Sequence, residues 1–255
     1  MFNDYIAAIQ KKWAHDRSLT VGASEAFKCI RALACDKRHV EWGIEPDADF
    51  EEDWGATARG NLIENYHVVP ALNYAMPEEI TLEFAGEEQN TVVLEKNSCT
   101  PDGLFTGIPV GPVRIKAGGI VIEIPMVRTG CMGLEIKSID PRATLEEEKK
   151  VHHGQTQIGL GILNETTEWK PEHWLILYFD ASFLSKMTPF LVEYDPNVFK
   201  SARMIANAVY TRESIHDFEP EGKFTGECDR CKWKDACGEA ILSRYYEQTD
   251  DTEDQ

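Results

Sequence analysis

Three groups of residues have types and spacings that could do chemistry. The first is Glu135-Ile136-Lys137, a carboxylate and an ammonium two residues apart in the stretch 133–138. Alternate side chains of a strand share a face. Glu135 and Lys137 would therefore point one way, about 6–7 Å apart along the backbone at ~3.3 Å per residue, and Leu134 and Ile136 the other. A carboxylate binds a hard cation, and an amine beside it steers a water or stabilises charge on a phosphate. Alone, Glu-x-Lys is what a solvated strand face shows. Here Thr100-Pro101-Asp102-Gly103 lies upstream, and Gln155 and Gln157 lie on a downstream helix. The second group is Cys228-Asp229-Arg230-Cys231 followed by Cys237. Three thiols this close in one chain point to metal binding. A tetrahedral thiolate site wants four ligands, and no Cys or His follows Cys237, so the fourth must come from upstream. The third is Glu64, mid-helix behind two apolar residues, whose plain reading is an exposed helical glutamate.

The elements that must position these residues follow from periodicity. Residues 3–15 read as an amphipathic helix. Ser24 would cap a helix running to about residue 39, with Glu25 in its first turn. That helix holds Cys29 and Cys35 about 600° apart, on different faces. An acidic loop spans 46–53, and a helix over 56–72 carries Glu64. The pattern then turns to β, with strands at 81–84, 91–95 and 102–105. A hairpin of 113–116 and 120–124 around Gly118 and Gly119 follows, and the Glu135 strand closes the set. Cys99 and Cys131 flank the motif strands without a partner at ligand spacing and read as packing residues. A helix is expected over 144–163, with Glu146, Glu147 and Glu148 at the N-terminal end that its dipole favours. Strands at 174–180 and 190–194 and a helix over 198–212 complete the core. Strands embedded between helices indicate an α/β or α+β fold.

The 255 residues contain 42% hydrophobic side chains, enough to bury a core. No window approaches an uninterrupted membrane span, and the N-terminus lacks a basic start and an apolar run, so a cytoplasmic protein is expected. There the seven cysteines stay reduced unless they hold a metal. The net charge of −18 argues against a protein that coats DNA or regulates it through a basic surface. It leaves room for a nuclease, whose acidic site is offset by bound cations. Acids crowd the C-terminus (Glu247, Asp250, Asp251, Glu253, Asp254), as in a disordered tail.

Taken together, the motifs resemble the PD-(D/E)XK nucleases, and more narrowly the iron–sulfur exonuclease of CRISPR adaptation modules with its RecB/AddB-type and phage relatives. The matching pieces, in order over roughly residues 20–240, are Gly60-x-x-x-Glu64, Pro101-Asp102, Glu135-Ile136-Lys137, Gln155-Thr156-Gln157 and Cys228-x2-Cys231-x5-Cys237 with one cysteine upstream. The resemblance implies a restriction-endonuclease-like α+β core with a mixed central sheet flanked by helices. It divides the chain into a helical segment at 1–55, the nuclease core at 56–215, a cysteine segment at 216–243 and a tail at 244–255. Asp102 and Glu135 would be metal-binding carboxylates for Mg²⁺ or Mn²⁺, Lys137 the catalytic lysine and Glu64 the first-motif acid, where many relatives have histidine. Gln157 resembles the fourth-motif glutamine, with Gln155 as the near alternative. The tyrosine that often follows four residues later is replaced by Gly159 or Gly161. Cys29, Cys228, Cys231 and Cys237 would hold a 4Fe–4S cluster, with Cys35 as the alternative to Cys29 and zinc as the alternative to iron. The implied function is a metal-dependent DNA exonuclease acting on single-stranded ends in recombination, CRISPR-adaptation-like or phage DNA processing. Its partners would be DNA, proteins of those systems and a second copy of the chain, with no membrane. The competing function is a non-catalytic metal-cluster subunit of such a complex.

Overall fold

The computed structural model describes residues 15–52, 54–117, 120–183, 186–221 and 227–238. Of the helix expected over 3–15 only His15 falls within that set, and the acidic tail lies outside it. No helix among the described residues is long and apolar enough to cross a membrane.

The chain opens with β1 (Val21–Gly22) and α1 (Ile30–Trp42). α1 starts later than the sequence suggests. The preceding turn is held instead by Glu25, whose Oε2 accepts the Gly22 N–H at 2.7 Å, and by the Lys28 N–H bonding to the Glu25 carbonyl. Cys29 thereby becomes the N-cap residue of α1 and not a helical one. At the other end Gly43, at φ 65°, donates its N–H back to the carbonyls of His39 and Val40. Only glycine adopts that left-handed turn without steric cost. α2 (Trp54–Ile63) runs through a π-helical turn at Glu64–Val68 into α3 (Val69–Ala75).

The β region follows as β2 (Thr81–Glu83), β3 (Val92–Leu94), β4 (Asn97–Cys99), β5 (Gly103–Thr106), β6 (Gly111–Ala117), β7 (Ile120–Val127) and β8 (Met132–Ile139). α4 (Lys150–Thr166), β9 (His173–Asp180), β10 (Met187–Glu193) and α5 (Pro196–Thr211) complete the fold. α4 begins at Lys150, so Glu146, Glu147 and Glu148 stand in the connection before it and not in its first turn. Glu148 reaches forward instead to His153 Nδ1 at 2.9 Å.

The main sheet has the order β10-β9-β8-β5-β2. β8 and β9 pair in parallel and their neighbours pair antiparallel, giving the mixed sheet expected. A parallel pair needs a crossover, and α4 is that crossover. β1, β4 and β3 form a small second sheet, and β6 and β7 a two-stranded ribbon. Leu134 and Ile136 pack with Leu175, Leu177 and Phe179 against Ile63, Val68 and Leu72 of the α2–α3 helix and the ribbon's isoleucines. On the opposite face Leu104, Trp174, Ile176 and Tyr178 meet Leu160 and Leu163 of α4. α4 fits there because it is glycine-rich. A Cβ on Gly159 would lie 2.5 Å from the Trp174 ring, and one on Gly161 2.2 Å from Phe199 of α5. The chain is therefore an α+β protein with a mixed sheet sandwiched between helices.

Candidate active site and cysteine cluster

β8 places Glu135 and Lys137 on the face covered by α4. Their register partners on β9 are Ile176 and Tyr178. Glu135 is only 2% exposed, so the solvated-face reading of Glu-x-Lys does not hold. The Lys137 ammonium contacts Glu135 Oε1 directly, and the same oxygen accepts a hydrogen bond from Gln155 Nε2 at 2.6 Å.

Asp102 sits one residue before β5, whose Gly103 pairs with Leu134. Its Oδ2 accepts the Ile136 N–H at 2.7 Å, which holds the carboxyl beside Glu135, so that the two influence each other's titration. Burial and the Asp102 charge push Glu135 up to about 8 against the pull of Lys137. Burial raises Asp102 too, opposed by Lys137 and the Ile136 N–H. Burial would lower Lys137, but the charges of Glu135, Asp102 and Glu64 outweigh it and hold the ammonium above its ordinary value. Two carboxyls, Glu135 buried and Asp102 half-buried, share one ammonium and are both pushed toward the protonated form, which a divalent cation between them would reverse.

Glu64 opens the π-helical turn. Its Oε1 accepts from Gln89 Nε2 at 2.5 Å, and that nitrogen also lies 3.4 Å from Asp102 Oδ1. The glutamate expected on a solvated helix face is thus half-buried and joined to Asp102 through Gln89. Gln89 lies in an irregular segment and carries no spacing signal in the sequence.

The two glutamines of α4 part company. Gln155 touches Glu135, whereas Gln157 is fully buried and turned elsewhere. The Gln157 amide donates to the Glu193 carbonyl at 2.7 Å, and its oxygen accepts the Asp195 N–H at 2.7 Å, so it ties the end of β10 to the start of α5. Being two residues apart on a helix separates them by about 200°, so only one can face β8. Of the two, it is Gln155, the near alternative, that contacts Glu135, while the expected Gln157 lies away from it. Beside Lys137, Tyr178 accepts the Lys149 N–H at 3.1 Å and pairs with His152 Nδ1 at 2.8 Å. Burial and the charges of Lys137 and Lys149 push His152 down to about 4, so this imidazole is neutral near neutral pH.

The cysteines gather where the C-terminal segment docks on α1. Cys29 caps that helix, Cys228 lies in a 3₁₀ turn at Glu227–Arg230, and the Cys231 N–H bonds the Cys228 carbonyl. Burial raises the Cys231 thiol, the Trp233 N–H opposes this, and the neighbouring thiols of Cys29, Cys228 and Cys237 raise it further. Cys35 is fully buried in an apolar patch with Ile215 and Trp233, and its thiol is pushed up to about 12, first by burial. The docking is specific. Trp233 Nε1 donates to Asp36 Oδ1 at 2.7 Å, and Asp47 accepts the N–H groups of Lys234 and Asp235. Cys99 lies in the core beside α4 and α5, and the Cys131 thiol donates to the Trp169 carbonyl at 2.7 Å. No disulfide joins any two of the seven cysteines. Among the described residues, no group of three or more His, Cys, Asp or Glu side chains is arranged so that it could hold a metal ion.

No protein-family model and no curated protein matches the chain. Among solved structures, the crystal structure of SSO0001 superposes with a TM-score of 0.50 at 13% identity, over 93% of this chain and 96% of that one, a likeness of fold. The alkaline exonuclease LHK-Exo from Laribacter hongkongensis gives a TM-score of 0.47 at 14% identity, over 81% and 89%. LHK-Exo in complex with dAMP gives 0.45 at 14%, over 76% and 87%. The LHK-Exo superpositions are too loose to bear on the reading of the site.

Proposed function

We propose that the chain is a divalent-metal-dependent deoxyribonuclease, acting on DNA ends, with a tetrathiolate metal centre that fastens its C-terminal segment to α1. The observation that carries the reading is the convergence of Asp102, Glu135 and Lys137 in one pocket, with Glu135 buried and the other two half-buried. Oxygen donors that outnumber the local positive charge suit Mg²⁺ or Mn²⁺. Asp102 and Glu135 would hold the ion, with Glu64 completing the acidic side through Gln89. When bound, such an ion lowers the pKa of its water and offsets charge on the phosphate. Lys137 then presents its ammonium to the attacking water or to the charge that builds on phosphate oxygens. Gln155 holds the Glu135 carboxylate in one rotamer. The thiols of Cys29, Cys228, Cys231 and Cys237 suit a 4Fe–4S cluster or zinc, and that centre is structural because phosphodiester hydrolysis transfers no electrons. A place in recombination, CRISPR-adaptation-like or phage DNA processing rests on the sequence resemblance alone.

The test is digestion of end-labelled single- and double-stranded DNA with Mg²⁺, with Mn²⁺ and with a chelator. Stepwise shortening from an end that needs the metal is expected. Intact DNA under every condition would leave the non-catalytic subunit as the better reading.

A further inference from the structure

Tyr178 stands opposite Lys137 in the parallel register of β8 and β9. The tyrosine is 0% exposed, and its hydroxyl accepts the Lys149 N–H at 3.1 Å. A buried hydroxyl must also place its own proton. Among the described residues the acceptor within reach is His152 Nδ1, at 2.8 Å. Nδ1 therefore presents its lone pair, and the proton of the neutral ring sits on Nε2. A protonated imidazole would turn an Nδ1–H on the hydroxyl and leave the hydroxyl proton without an acceptor. The nearby cations act in the same direction: Lys137 and Lys149 oppose a third positive charge between them.

α4 brings this ring to the site. His152 precedes Gln155 by three residues, so the two share a helix face. Gln155 meets Glu135, and one turn earlier His152 meets Tyr178 beside Lys137. Among the described residues no protein group bonds His152 Nε2. His152 and Lys137 are both partly exposed, so a ligand can reach the ring and the ammonium. An N–H donor beside an ammonium is a place for an anionic oxygen, and a neutral donor adds a hydrogen bond there without adding charge. Resting on the nuclease reading above, we infer that His152 is a substrate-binding residue that donates its Nε2–H to a DNA phosphate oxygen held at Lys137, and that Tyr178 is the positioning residue that fixes this tautomer.

The test is binding of end-labelled single-stranded and duplex oligonucleotides by the full chain in chelator, so that neither metal nor cleavage enters. His152→Asn and His152→Gln are compared with the wild type. An Asn amide reaches only the place of Nδ1 and keeps a partner for Tyr178, whereas a Gln amide reaches the place of Nε2. His152→Asn should bind about tenfold more weakly, the scale of a hydrogen bond to a charged group, with its melting temperature little changed. His152→Gln should recover most of the affinity. Because the donor is neutral, the dependence of affinity on salt should keep the wild-type slope in both. In spectra of ¹⁵N-labelled histidine the wild-type ring should carry its proton on Nε2, and that nitrogen should shift when DNA is added. In Tyr178→Phe the Nδ1–H form should appear. A folded His152→Asn protein that binds DNA as tightly as the wild type would overturn the role of His152 and leave the nuclease reading standing. A wild-type ring protonated on Nδ1 would do the same. If His152→Asn does not fold, the wild-type Nε2 signal decides: a shift with DNA supports the contact, and an unmoved signal at saturating DNA overturns it. A wild type that neither binds nor cleaves DNA would overturn both readings.

Discussion

Glu135 is a carboxylate that folding places out of water beside a second carboxylate. Its folded value, about 8, lies above the ordinary 4.5. A raised acid contributes stability that is fully present below the unfolded value and lost as pH rises through the folded one. Asp102 is raised in the same sense, and Lys137 titrates above this window. The metal-free protein should therefore lose thermal stability between about pH 5 and pH 8 through this pocket. Added Mn²⁺ should raise the melting temperature more at the alkaline end, which calorimetry at both ends would show. The two glutamines differ in what they hold. Gln155→Ala should keep the fold and slow cleavage about 10–100-fold, as loss of a ligand-orienting partner does. Gln157→Ala should cost about 1–3 kcal/mol of stability by orphaning buried backbone groups, with activity per folded molecule little changed. Denaturant titration beside single-turnover assays would tell the two apart.

At the scale of elements, the site depends on how α2, α3 and β8 are cut. A π-helical turn widens the helix at Glu64, and such turns cluster at functional sites. Gln89 holds the resulting carboxylate toward Asp102. Gln89→Ala should leave the melting temperature nearly unchanged and weaken metal dependence, so that more Mn²⁺ is needed for half-maximal cleavage. An unchanged metal requirement would mean that Glu64 plays no part. Much of this level was legible in the sequence. Alternation marked β8 and β9, turn residues marked the ribbon, and Glu-x-Lys marked the acidic pocket. Three things were not. The 3.6-residue period cannot show a π turn inserted into a continuous helix. The N-terminal acids expected in α4 were drawn from a dipole preference worth under about 1 kcal/mol, which the contact of Glu148 with His153 overrides. Gln155 and Gln157 could not be ranked until the rotation of α4 against β8 was known.

For the molecule as a whole, the proposed tetrathiolate centre would join the chain segments around residues 29 and 237, which the docking of Trp233 and Asp47 already brings together. Closing a loop of that length restricts the unfolded chain heavily, and Trp233 adds an apolar anchor that is 2% exposed. Trp233→Ala should destabilise the protein by about 3–5 kcal/mol, the range for truncating a buried aromatic. It should also loosen the metal centre, and both effects can be read by thermal melts with and without chelator. A melt unchanged by either treatment would make the docked segment an ornament on an independently stable core.

The central claim is that Asp102, Glu135 and Lys137 form a metal-dependent phosphodiesterase site. Its most direct measurement is cleavage of end-labelled DNA at a series of Mn²⁺ concentrations by the wild type, Glu135→Gln and Lys137→Met, each first shown to be folded by circular dichroism. The wild type is expected to cleave only with the metal present. Both variants should lose about 10²-fold or more, the scale for removing a group that stabilises transition-state charge. Glu135→Gln should in addition shift the Mn²⁺ dependence to higher concentration. Cleavage by folded Glu135→Gln at the wild-type rate and the same Mn²⁺ requirement would contradict it.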